Sequence, residues 1–176
     1  MVLQDIEAAI CRAKAAFQRR PKVGISDDAP ASARWVSGTR VLIRNANGME
    51  VATDMPAELG GSGDQVSPGW LFRAGIASCA TTSIVMAAAC EGIILTNIEV
   101  DVGSRSDARG LLGMSESNGA PVYAGPFDVE LRVTVAANGS TPAALKTLVE
   151  SCLSHSPVPS ALLTATPFSL HVTVAS

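Results

Sequence analysis

SPGWLFRAGIASCATTSIVMAAACEG, residues 67–92, is the stretch around which the rest of the chain must be arranged. Ser67 offers a hydroxyl to the first-turn N–H groups of a helix. Pro68 fits that turn because its missing N–H would go unsatisfied there, and Gly92 suits the left-handed position past a helix end. One long helix follows. Between its caps the only charges are Arg73 and Glu91, so the helix is expected to be buried nearly all round. Its small residues would let a second helix or a dimer mate approach closely. Cys79 sits in its middle.

A helix this apolar could also span a membrane. Arg73 inside it and the polar cluster Ser78, Thr81, Thr82 and Ser83 at its centre argue against that reading, as does the lack of a second apolar segment. With 176 residues, one domain with a real core is the expectation. Thirteen basic against sixteen acidic residues give a net charge of −3, which repels polyphosphate, and 4% aromatic content leaves few stacking platforms for bases. Nucleic acid is therefore not the expected partner. Cysteines at 11, 79, 90 and 152 form no C-x-x-C pair, and Asp5 and Glu7 interrupt any secretory signal. A reduced, cytoplasmic protein is expected.

Upstream, Leu3, Ile6, Ile10, Ala13 and Phe17 recur at helical steps, predicting an amphipathic helix that ends before Pro21. It reads as an appendage docked on the body or on a second subunit, with a transit peptide as the lesser alternative. Lys22 to Ala33 reads as a linker. Arg40 to Arg44 and Met49 to Thr53 flank the turn dipeptide Asn47-Gly48 and predict a hairpin. The glycines of LGGSGD, 59–64, precede a helix, but no Lys-Ser/Thr pair follows, so a tight backbone crossing is favoured over phosphate binding.

Downstream, Leu95 to Val102 alternates as a half-buried strand. Residues 104–125 read as a long loop with room for a short strand at Leu111-Leu112, and Phe127 to Val135 gives the clearest alternation of all. Thr141-Pro142 opens a helix whose stripe of Leu145, Leu148, Val149, Cys152 and Leu153 turns Cys152 inward. Ser156-Pro157 repeats the cap signature for a segment running to about Leu163, and Phe168, Leu170, Val172 and Val174 predict a closing strand. Cys152-x-x-His155 is too sparse to predict a metal site, and without G-x-S-x-G a serine hydrolase is disfavoured.

That order, together with DMPAELGG at 54–61, SPGWLFRAGIASC at 67–79 and HSPVPSAL at 155–162, resembles the OsmC/Ohr family of hydroperoxide-reducing thiol proteins. The likeness spans 33–176, leaving a helix at 1–21 and a linker at 22–32 outside it. It implies an α+β, OsmC-like fold, with antiparallel sheets wrapped around a long buried central helix in an intertwined homodimer whose sites lie at the interface. It also implies no cofactor and no metal, an organic hydroperoxide as substrate and an external thiol as reductant.

Residue by residue, the resemblance makes Cys79 the peroxidatic cysteine and puts Arg40, after Ser37-Gly38-Thr39, in the arginine's place, with Arg44 as the alternative. The family's glutamate falls on Gly69 and its resolving cysteine on Ser156, which can cap a helix but cannot close a disulfide. Cys152, one turn upstream, is then the candidate resolving thiol, and Trp70, Phe72 and Ser156 are the expected pocket residues. Two readings follow: a thiol peroxidase acting through Cys79, or a catalytically degenerate relative binding a small apolar ligand at the dimer interface.

Overall fold

The computed structural model describes residues 3–164 and 166–175. α1 (Leu3–Arg19) is followed by a single 3-10 turn, then by β1 (Ser32–Ser37), β2 (Arg40–Arg44) and β3 (Glu50–Thr53), which form one antiparallel sheet in the order β1-β2-β3. α2 (Pro68–Cys90) crosses the molecule. β4 (Leu95–Arg105) and β5 (Phe127–Ala137) pair as a second antiparallel sheet, with the short α3 (Ala108–Leu111) between them, before α4 (Pro142–Leu153) and α5 (Pro157–Leu163).

The hairpin and caps form where the residues dictate. Gly48 takes φ 81°, and Asn45 Oδ1 accepts from the N–H groups of Asn47 at 2.9 Å and Met49 at 3.0 Å. Ser67 accepts from Trp70 N–H at 3.2 Å, and Thr141 from Ala144 N–H at 3.2 Å. At the far end of α2, Gly92 at φ 67° lets Ile93 N–H reach back to the Ala88 carbonyl at 2.9 Å.

Four expectations need correction. β1 lies partly inside the expected linker: its six residues are all exposed, so no half-buried alternation marked it as a strand. Leu111 ends a helical turn, because Asp107 caps α3 by accepting from Arg109 N–H at 2.9 Å. Residues 166–175 form no strand, and Phe168, Leu170, Val172 and Val174 stand 75–90% exposed; their backbone joins neither sheet, and an extended segment without a paired neighbour does not hold as a strand. Finally, α2 is not buried all round.

Its buried residues Ile76, Ala80, Ile84 and Ala88 are spaced four apart, with Ala89 beside them, so they form one stripe of a helix that contacts α1, β4, α4 and α5. Ser78, Thr82 and Met86, also four apart, stay exposed. By length and composition alone α2 could cross a membrane, and 22% of its most apolar window is buried within this chain.

The glycine loop is a tight backbone crossing. Asp54 is only 4% exposed, and its carboxylate accepts from the Thr39 hydroxyl at 2.5 Å, the Ser62 hydroxyl at 2.6 Å, and the N–H groups of Met55 at 2.8 Å and Ser62 at 3.2 Å. The Ser62 and Thr39 hydroxyls hold this carboxyl well below the usual aspartate range. Asp64 is lowered as well, by Ser62 first and Arg40 second. Two ionised carboxylates leave the loop hostile to phosphate. Because both groups bind protons more weakly folded than unfolded, their stabilisation is complete above about pH 4 and is lost as pH falls below it. Acid titration followed by circular dichroism should show Asp54→Asn removing part of that acid sensitivity; a parent-like acid limb would contradict the assignment.

Candidate functional site

Cys79 lies one residue before Ala80 on α2, at the edge of the buried stripe, and is half-buried. α5 begins against it. Ser156 is fully buried, and its hydroxyl donates to Cys79 Sγ at 3.2 Å while the Val158 N–H donates to the same sulfur at 3.4 Å. Ser156 was expected to cap α5, but its side chain makes no cap hydrogen bond and is turned to the thiol instead. Two donors on one sulfur are suited to solvating negative charge there.

A largely apolar cleft of about 1030 Å³ opens onto this thiol. From α2 it is lined by Cys79, Thr82, Ser83, Met86, Ala87 and Cys90, with Glu91 just beyond. Ser151, Cys152, His155 and Pro157 come from α4 and the start of α5, and Ile10 and Lys14 come from α1. Three of the four free thiols, Cys79, Cys90 and Cys152, thus share one cleft, whereas Cys11 is exposed on α1.

Cys152 is buried as expected, and its Sγ donates to the Val149 carbonyl at 3.3 Å. Burial pushes its thiol pKa up, and the charge of Glu91 adds to the rise. It is therefore a thiol rather than a thiolate at neutral pH, which makes it a slow nucleophile. Among the described residues no group of three or more His, Cys, Asp and Glu side chains is arranged to hold a metal ion.

The other expected site residues are placed elsewhere. Arg40 donates to Asp54 Oδ2 from Nη2 at 3.2 Å and from Nε at 3.4 Å and also bonds Ser62 and Asp64, while Arg44 Nε donates across the hairpin to Glu50 at 2.8 Å. Neither arginine bonds Cys79 within this chain; the carboxylates facing them are nearer. Arg73 turns to Ser104 Oγ at 3.4 Å. Trp70 and Phe72 do not line the cleft, because it runs from Cys79 toward the C-terminal end of α2 and they lie on the N-terminal side, on the order of 10–14 Å before Cys79 along the helix axis. Sequence reasoning missed the Val158 N–H, Ile10 and Lys14. The Ser156-Pro157 signature could have pointed to the first; the apolar periodicity of α1 counts Ile10 in its stripe and turns Lys14 away from it with the other polar residues, whereas both line the cleft, as their four-residue spacing allows.

Fold and site together define an α+β protein built around a thiol in its central helix. The family model described as OsmC-like protein matches residues 61–171, more than half of the sequence, and the chain belongs to that family. Solved structures agree in fold. An OsmC-like protein from Mycoplasma pneumoniae superposes with TM-score 0.66 at 12% identity, covering 80% of this chain and 91% of its own. An organic hydroperoxide resistance protein from Elizabethkingia anophelis gives 0.58 at 22% identity, with 78% and 90% covered. One from Legionella pneumophila gives 0.54 at 22%, with the same coverage. Among curated proteins, none matches the sequence.

Proposed function

We propose that this protein is a cytoplasmic, homodimeric thiol peroxidase that reduces organic hydroperoxides through Cys79 in defence against peroxide stress. The observation that carries the reading is the Cys79 sulfur, which accepts from Ser156 and from the Val158 N–H in a largely apolar cleft. Membership of the OsmC-like family supports it, as do structural neighbours that are named organic hydroperoxide resistance proteins. The thiolate of Cys79 attacks one peroxide oxygen, the S–O bond forms as the O–O bond breaks, and the alkoxide leaves to take up a proton as the alcohol. A thiol then attacks the sulfenic acid, water departs and a disulfide forms; a further external thiol returns the cysteine. Cys152 shares the cleft and is the resolving candidate, but its raised pKa favours direct attack by the external thiol.

The test is thiol-dependent consumption of cumene hydroperoxide by the purified protein. Turnover is the expected result. Binding of apolar ligands with no turnover would instead favour the degenerate binding protein, a reading that rests on the missing side chain at Gly69.

The dimer is supported by surface. The chain exposes 12826 Å², against about 8100 Å² for a compact monomer of 18.1 kDa. The apolar residues of 166–175, exposed in one chain, are what a second copy would cover. Light scattering should give twice 18.1 kDa; a monomer would contradict the proposal.

A further inference from the structure

α1 lies outside the 61–171 segment that matches the family, yet it packs on α2 beside the thiol. Ile10 and Lys14 are four residues apart, one above the other on the helix face, and both line the cleft that holds Cys79. Ile10 is half-buried and extends the apolar wall that Met86 and Ala87 begin, whereas Lys14 is exposed and, among the described residues, has no ion-pair partner. The other ionisable side chains on the cleft wall, besides the three thiols, are Glu91 and His155. Glu91 follows the last residue of α2, twelve positions and about 18 Å of helix beyond Cys79, and its charge acts on Cys152. Among the described residues Lys14 is thus the one fixed positive charge on a largely apolar cleft wall, whose one carboxylate, Glu91, lies at the far end of α2 from Cys79.

We propose that Lys14, carried on a helix outside the matched family segment, is a specificity-determining residue of this cleft. It holds the anionic end of a ligand whose apolar body lies against Ile10 and Met86. The inference rests on the peroxidase reading only for the reaction that follows binding. An ammonium on a flexible stem reaches a headgroup without burying its own charge, and its attraction adds to the burial of an apolar chain.

Calorimetric binding to the full-length protein separates this inference from that reading, because it needs no turnover. The probes are decanoate, decanol and decyltrimethylammonium. Lys14→Gln is expected to weaken decanoate about tenfold, the loss of one charge-assisted hydrogen bond, and to leave decanol within about twofold; Lys14→Arg should restore decanoate. No decanoate binding by the parent protein would overturn the proposal. So would equal loss of decanoate and decanol, no loss of either, or tighter binding of decyltrimethylammonium than of decanoate. A protein that binds decanoate through Lys14 but consumes no hydroperoxide would leave this inference standing while the peroxidase reading fell.

Discussion

Cys79→Ser is expected to lower thiol-dependent consumption of cumene hydroperoxide by about a thousandfold or more, to the level of the free thiol in the assay. A serine hydroxyl is far less acidic than a thiol and does not pass through a sulfenic state at neutral pH, so it cannot take oxygen from the peroxide. The substitution removes one sulfur and keeps an acceptor for Ser156 and for the Val158 N–H. The fold should therefore survive, and a melting temperature close to the parent's would tie the loss to chemistry. Turnover retained in Cys79→Ser would move the reaction to Cys90 or Cys152, the other thiols of the cleft.

Gly61→Ala should cost more stability than the loss of any single surface contact. A Cβ at this position would lie 1.7 Å from the Met55 carbonyl oxygen and 2.9 Å from Asp54 Oδ1, so the backbone of the loop must move. That loop has no freedom to move cheaply. Gly61 N–H donates to the Pro56 carbonyl at 3.1 Å, Gly63 N–H to Met55 at 3.3 Å, and Asp54 N–H to Val66 at 3.1 Å just before α2 begins. Displacing it strips hydrogen bonds from a buried carboxylate, an expected loss of about 3 kcal/mol or more. For a chain of this size that is a fall of roughly 6–12 °C in melting temperature. A variant that melts with the parent would show that the crossing is looser than described.

The sequence made α2 and its neighbours legible because caps, periodicity and turn residues are local signals. Ser67-Pro68, Asn47-Gly48 and the alternation from Phe127 each report on a few adjacent residues, and each element formed as read. What failed depends on partners far away in the chain or outside it. Burial of α2 on all sides was inferred from composition, yet one chain covers a single stripe; the strand expected at Phe168 to Val174 has the right alternation but joins neither sheet. At the site, Cys79 and inward-facing Cys152 were legible from their helices. Arg40's role comes from the family pattern alone, and within this chain its guanidinium bonds Asp54, Ser62 and Asp64. Ser156 kept its place in the pattern but spends its hydroxyl on the thiol.

The proposed chemistry requires that Cys79 Sγ be the atom that reacts. Treating the reduced protein with one equivalent of cumene hydroperoxide and mapping oxidation by mass spectrometry, with a sulfenic-acid trap present, tests that directly. The predicted result is one trapped oxygen at Cys79, or its conversion to a disulfide with Cys152, with Cys11 and Cys90 unchanged. A Cys79 that stays reduced while hydroperoxide persists, in a sample that is folded and fully thiol at the start, would show that this thiol is not the reacting group.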